Sequence, residues 1–142
     1  MGKILALDPG DRWIGIAISD PLQLIARPLT TVSLQTCESF LTDLFTREKV
    51  ELVLIGNPIT AAGRISEQTR KVQAWKQQLE DKFPMQAFML WDERRTSQQA
   101  EALQRITRHR HDPAKRLESH ALAASFILDS YLILRQPNDA PL

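Results

Sequence analysis

Short apolar runs alternate along this chain with longer segments that carry a single apolar face. Five runs are almost continuous in apolar or β-branched residues, which predicts strands over 3–8, 13–19, 28–34, 51–56 and 86–91. Apolar positions at helical spacing predict helices over 36–48, from Ser66 to a stop at Pro84, from Thr96 onward and over 117–134. The element order is therefore βββαβαβαα.

This order predicts how the strands pair. The turn at Pro9 and Gly10 joins the first two strands as antiparallel neighbours, whereas strands separated by helices pair in parallel. The prediction is an α/β fold with a mixed five-stranded sheet and helices on both faces. At 142 residues the chain fits one domain, assigned to 1–134, with a C-terminal tail over 135–142.

Composition narrows the class of protein. The single cysteine, Cys37, excludes an intrachain disulfide framework. The N-terminus meets an acid and a proline too early for a secretory signal, and the apolar runs are too short to cross a membrane. We therefore expect a cytoplasmic protein without a membrane partner.

The net charge of +1 hides an uneven distribution. Residues 94–116 carry seven basic side chains against two acids, so that segment is +5 and the remainder is −4. Such a basic lobe fits docking to a polyanion such as nucleic acid, although a solvated helix face and loop would give the same pattern.

Acidic residues stand where buried strands end. Asp8 ends the first strand, Asn57 follows the fourth, and Asp92 and Glu93 follow the fifth. The carboxyl ends of parallel neighbours share one sheet edge, so Asp8 and one member of the Asp92/Glu93 pair should converge there. Converging buried carboxylates repel unless a cation lies between them, which favours Mg²⁺ or Mn²⁺. Alternatively, each acid caps a turn or a helix.

Four stretches carry a resemblance to a known family. "ALDPGDRWIGIAISDP", "LVLIGNPITAAG", "WDERRTSQQAEAL" and "HALAASFILDSYL" resemble the successive motifs of the YqgF/RuvX family. That family is described as pre-16S rRNA nucleases, and also as Holliday junction resolvases, with an RNase H-like fold. The resemblance runs from about Lys3 to Leu132, nearly the whole chain.

The resemblance implies three catalytic positions. They fall on Asp8, on Glu93 with Asp92 beside it, and on His120. The third position is usually aspartate in the family, so His120 is a departure. Imidazole binds Mn²⁺ better than Mg²⁺. His120 is therefore a candidate ligand, general base or phosphate contact, with a packed structural histidine as the alternative.

Substrate contacts are expected from side chains around the same edge. The candidates for contacting nucleic acid are Arg12, Asn57, Arg94, Arg95, Arg110, Lys115 and Arg116. The loop after the fourth strand often carries an aspartate before its glycine in the family, but this chain has Ala62 and Gly63. That loop is assigned to substrate contact rather than to metal binding.

The expected function is a metal-dependent endonuclease that processes the 5′ end of precursor 16S rRNA. One alternative is a resolvase-type endonuclease for four-way DNA junctions, which should be a dimer because its substrate has two symmetric cuts. Another is a nucleic-acid binding module with weak catalysis, motivated by His120. The sequence leaves the choice between monomer and homodimer open.

Overall fold

The computed structural model describes residues 2–58, 66–93 and 113–139, with side chains in the last range described from 119 to 135. Its strands are β1 Lys3–Pro9, β2 Trp13–Ser19, β3 Ala26–Ser33, β4 Val50–Asn57 and β5 Phe88–Asp92. Its helices are α1 Cys37–Arg47, α2 Glu67–Lys82 and α3 Pro113–Asp139. The helix predicted from Thr96 lies outside the described residues.

The five strands form one mixed sheet in the order β3-β2-β1-β4-β5. β1 pairs antiparallel with β2 and parallel with β4, and β4 pairs parallel with β5. The predicted mixed sheet is therefore confirmed. The carboxyl ends of β1, β4 and β5 lie side by side at one edge, hereafter the carboxyl edge.

Strand alternation divides the core into two layers. Leu5 and Leu7 of β1 pack with α1 and α2 on one face of the sheet, whereas Ile4 and Ala6 pack with α3 on the other. Both layers are closed by fully buried aliphatic side chains such as Leu41 and Leu128. The order of alternation places the side chain of Asp8 on the α3 face.

Glycine allows α3 to approach the sheet at β2. A Cβ at Gly15 would lie 1.9 Å from the carbonyl oxygen of His120, so only glycine leaves room for this backbone. Gly15 pairs directly with Asp8 across the β1–β2 ladder. The contact therefore fixes His120 beside the strand position that carries Asp8.

Local signals in the sequence define two further features. Ser66 caps α2 in a capping box with Thr69, as its position before the helix predicted. Asp20 accepts hydrogen bonds from the backbone N–H groups of Leu22, Leu24 and Ile25. Asp20 is thus a turn former at the opposite edge of the sheet.

The bounds predicted for the last helix were wrong at both ends. α3 begins at Pro113, so Lys115 and Arg116 belong to its first turns and not to a loop. Proline is favoured in a first helical turn because its missing N–H needs no partner there. α3 also continues past Leu134, where the Arg135 guanidinium donates to the side-chain and backbone oxygens of Gln23.

The division into a domain over 1–134 and a tail over 135–142 stays a prediction. Two strands begin two residues away from their predicted starts: β3 begins at Ala26 rather than Pro28, and β5 begins at Phe88 rather than Gln86. In the described part of the chain, no helix combines the length and hydrophobicity needed to cross a membrane.

Gly15→Ala should destabilise the protein strongly, because the added methyl group would clash with backbone rather than with a flexible side chain. Overpacking a core costs about 1–3 kcal/mol, and we expect the upper end of that range. Urea denaturation measures the loss. Gly10→Ala is the control, since its Cβ would meet the nearest backbone atom at 3.0 Å and should cost less. An unchanged midpoint for Gly15→Ala would contradict the close approach.

Candidate metal centre

Three strand ends bring polar side chains to the carboxyl edge. Asp8 lies near the end of β1, Asn57 ends β4, and Asp92 ends β5 with Glu93 directly after it. Asn57 and Asp92 are register partners in the β4–β5 ladder. The convergence of these residues at one sheet edge follows from the parallel order of the three strands.

The carboxyl groups of Asp8 and Glu93 are hydrogen-bonded to each other. Burial raises the pKa of Asp8 well above its ordinary value, and the charge of Glu93 raises it further. Burial also raises the pKa of Glu93, while its hydrogen bond with Asp8 acts in the opposite direction. Both pKa values are raised, so the surroundings of the pair oppose two negative charges held side by side.

The Glu93 carboxylate occupies space that a glycine leaves open. A Cβ at Gly56 would lie 2.6 Å from Oε1 of Glu93 and 2.8 Å from Cδ1 of Ile127. Gly56 was not predicted as part of the site. The signal in the sequence is a glycine at the end of an otherwise aliphatic buried strand, where a close approach is a common reason.

Contacts with α3 hold the end of β5 in place. The indole Nε1 of Trp91 donates to Oγ of Ser130 over 2.9 Å, and its ring meets Tyr131 edge to face with centroids 5.3 Å apart. Trp91 is two residues before Glu93, so both side chains lie on the α3 face. The buried aromatic contact thereby positions the carboxylate that faces Asp8.

Asp92 and Asn57 do not share the sheet face on which Asp8 and Glu93 lie. Alternation along the strands places their side chains on the α1/α2 face, opposite Asp8 and Glu93. The negative charge of Asp92 still raises the pKa of Glu93. Asn57 is 7% exposed, and among the residues that the structure describes its Oδ1 has no hydrogen-bond partner. A buried acceptor without a donor is costly, so this atom is a candidate contact for a ligand N–H or O–H group.

His120 lies half-buried at the same edge, held by the contact between its backbone and Gly15. A Cβ at Gly10 would lie 3.8 Å from its Cε1, so the ring faces the β1–β2 turn. Burial lowers the pKa of His120. The imidazole is therefore neutral at pH 7 and can accept a proton or bind a metal through nitrogen.

The predicted basic contacts are described only in part. Arg12 is exposed in the β1–β2 turn, close to the carboxyl edge. Lys115 and Arg116 lie in the first turns of α3, and their side chains are not among those described. Arg94, Arg95 and Arg110 lie outside the described residues. All of these nucleic-acid contacts stay predictions.

A divalent cation fits the donor set of Asp8 and Glu93. Two partly buried carboxyl groups that contact each other present hard oxygen donors, and a divalent ion compensates the negative charge of both. Gly56 leaves room for one of these carboxylates. Within the described ranges, no group of three histidine, cysteine, aspartate or glutamate residues is arranged to hold a metal ion. Asp92 and His120 therefore remain predictions as further ligands.

Asp8→Asn should stabilise the metal-free protein at neutral pH. Because the folded-state pKa of Asp8 is raised above 3.8, the native state binds the extra proton, and stability falls as pH rises from 3.8 through the raised value. The variant removes this loss, and each 1 kcal/mol regained should raise Tm by about 2–5 °C. Thermal unfolding in the presence of a chelator, at a series of pH values, measures this change in Tm.

Asp20→Asn supplies a control of opposite sign. Backbone hydrogen bonds lower the pKa of Asp20, so its contribution is present above 3.8 and is lost as pH falls through the lowered value. This variant should therefore lower Tm at pH 7. If the Tm of Asp8→Asn and the Tm of the unmodified protein depend on pH in the same way, the folded state does not raise the pKa of Asp8.

Comparisons with known proteins agree with this architecture. The family model described as "RuvX: Holliday junction resolvase" matches residues 2–133. A "Putative pre-16S rRNA nuclease" of Flavobacterium psychrophilum is 44% identical over 100 residues, covering 70% of this chain and 73% of the relative. A protein of the same name from Rubrobacter xylanophilus is 37% identical over 133 residues, covering 94% of each chain.

A solved structure, T. thermophilus RuvC in complex with Holliday junction substrate, matches with a TM-score of 0.61 and 17% identity over 99% of both chains. That likeness concerns the fold alone and confirms the expected RNase H-like architecture. The family match and the two relatives confirm the resemblance drawn from the four sequence motifs. The chain belongs to the RuvX family.

Proposed function

We propose that this chain is a divalent-metal-dependent endonuclease that hydrolyses phosphodiesters, and that it processes the 5′ end of precursor 16S rRNA. The observation that carries the proposal is the partly buried, hydrogen-bonded pair Asp8 and Glu93 at the carboxyl edge. Two carboxylates brought together against their repulsion are typical of a cation site. The names of the relatives support the reaction class and the RNA substrate.

Different residues are proposed to bind the metal ion and to contact the substrate. Asp8 and Glu93 would hold Mg²⁺ or Mn²⁺, which when bound activates water and neutralises charge on the phosphate. The overall reaction adds water across one P–O bond and leaves a phosphate and a hydroxyl end. Asp92 is proposed as a further acidic contact for the metal ion, since its negative charge already acts on Glu93.

His120 is the proposed third catalytic residue. Its backbone is fixed against Gly15, and its neutral half-buried ring lies beside the turn that follows Asp8. A neutral imidazole there can take the proton from the attacking water or complete the metal site through nitrogen. Either role replaces the aspartate that relatives usually carry at this position.

Positive side chains are proposed to bind the phosphates on either side of the cleavage site. Arg12 is exposed on the β1–β2 turn, next to the carboxylate pair. Arg94, Arg95, Arg110, Lys115 and Arg116 are proposed to extend this basic surface, in keeping with the charge of +5 over 94–116. Asn57 would contribute its Oδ1, which has no donor within the described part of the chain.

Four-way DNA junctions are the second candidate substrate. The description of the family model as a Holliday junction resolvase favours them. A junction has two symmetric cuts, so this function requires two copies of the chain arranged by a two-fold axis. Oligomeric state measured with and without a junction therefore separates the two substrates independently of cleavage.

Asp8→Asn and Glu93→Gln should each abolish cleavage of labelled precursor rRNA in Mg²⁺ or Mn²⁺ while retaining affinity. Loss of residues that merely orient metal ligands costs about 10–100-fold, so loss of a ligand should cost at least that much. Initial cleavage rates and filter binding give the two quantities. Asp20→Asn is the matched control at the opposite sheet edge and should cleave normally. Binding without cleavage by the unmodified protein in both metals would indicate the binding module instead.

His120→Ala should change the metal preference as well as the rate. If the imidazole completes the metal site, the unmodified protein should prefer Mn²⁺ to Mg²⁺, and the variant should lose that preference. His120→Asp should shift the preference towards Mg²⁺, because it supplies the hard oxygen donor usual in the family. Ratios of kcat/KM in the two metals measure this, and an unchanged ratio in both variants would assign His120 outside the metal site.

A further inference from the structure

A cavity of about 230 Å³ lies on the opposite face of the sheet from Asp8 and Glu93. It is formed between the β1–β2 turn and the first half of α2. Its lining includes Pro9, Gly10 and Asp11 from the turn and Gln68, Lys71 and Trp75 from the helix. Asp11 and Lys71 are exposed, so the cavity opens to solvent at its rim.

The helix side chains that line this cavity have unused binding capacity. Trp75 is half-buried and presents an aromatic ring to the cavity, and Gln68 carries both donor and acceptor groups. Among the residues that the structure describes, Gln68, Lys71 and Trp75 make no side-chain hydrogen bond or ion pair with a neighbour. The combination suits a flat polar ring with an anionic group attached.

The size of the cavity limits what it can hold. Sites for drug-sized ligands measure about 300–1,000 Å³, and this cavity is smaller. One heteroaromatic ring system fits such a volume. Tryptophan stacking, an amide that reads a base edge, and a lysine for phosphate together form the usual means of holding a single unpaired nucleobase.

The cavity is also next to the candidate metal centre along the chain. Pro9 directly follows Asp8, so the two Cα atoms are about 3.8 Å apart across a trans peptide. Asp8 faces α3, whereas the cavity faces α2. A strand that crosses the carboxyl edge over the β1–β2 turn could hold a phosphate on one face and its neighbouring base on the other.

We propose that this cavity binds one unpaired nucleobase of the substrate strand, next to the phosphodiester that is cleaved. The proposal rests on the proposed nuclease function and adds a specificity site to it. Trp75 stacks on the base, Gln68 and Asp11 hydrogen-bond its edge, and Lys71 contacts the adjoining phosphate. Such a site selects cleavage positions where one base is free to leave the helical stack.

Substrates that lack one base at a time test the proposal. Binding is measured with the Asp8→Asn protein, so the readout does not depend on catalysis, and cleavage rates are measured with the unmodified protein. Removing the base that enters the cavity should weaken binding roughly 10–100-fold at one position only, as expected for loss of base stacking. Trp75→Leu keeps an apolar contact with the core but loses the aromatic ring. This variant should bind the intact substrate roughly 10–100-fold more weakly, and removing the base at that position should then weaken its binding no further.

Two controls separate recognition of the base from general effects. Trp75→Phe retains an aromatic face and should restore the dependence on that one position. Lys71→Gln should weaken binding, whereas Lys82→Gln, the same change at the other end of α2, should not. The proposal is overturned if base removal at one position weakens binding by Trp75→Leu as much as binding by its parent. It is also overturned if base removal weakens binding equally at every position of the strand. Failure of the unmodified protein to cleave would instead refute the nuclease function. The binding measurements with Asp8→Asn would still test whether the cavity binds a base.

Discussion

The contact between two partly buried carboxyl groups is the constraint on which the candidate site depends. Asp8 and Glu93 come from parts of the chain separated by most of the domain, and their carboxyl groups are hydrogen-bonded to each other. Desolvation and mutual repulsion make this arrangement unfavourable without a cation. The rest of the sheet must therefore stabilise it, and the aliphatic layers on both faces of β1 and β4 provide that stability.

Helix α3 joins the parts of the site. Its contact with Gly15 fixes His120 opposite Asp8, and its contact with Trp91 fixes the end of β5 before Glu93. Glycine makes room at two points of the sheet, since a Cβ at Gly15 would occupy space used by the backbone of α3, and a Cβ at Gly56 would occupy space used by Glu93. The same helix thus carries His120 and positions the strand end before Glu93, whereas Asp8 is held by β1 in the sheet. The sheet separates these three residues from the cavity beside Trp75.

The sequence patterns predicted the regular elements well where local signals were strong. The apolar run over 13–19 predicted the exact bounds of β2, and Ser66 predicted the start of α2. Patterns did less well where tertiary contacts extend an element. The basic residues after 108 suggested a loop, but Pro113 begins α3, and the bond from Arg135 to Gln23 lies beyond the predicted helix end. Side-chain contacts across the fold have no local signature.

The sequence by itself determined the order of strands and helices, the parallel arrangement of β1, β4 and β5, and the presence of acids at their carboxyl ends. Periodicity and connection length encode these features locally. Strand pattern alone left Asp92 and Glu93 as alternatives, although the family resemblance implied Glu93. The tertiary structure decided that Glu93 faces Asp8, because the choice depends on which face of β5 packs against α3. It also decided that Gly56 makes room for Glu93 and that Trp75 lines a cavity, since both depend on contacts between elements distant in the chain.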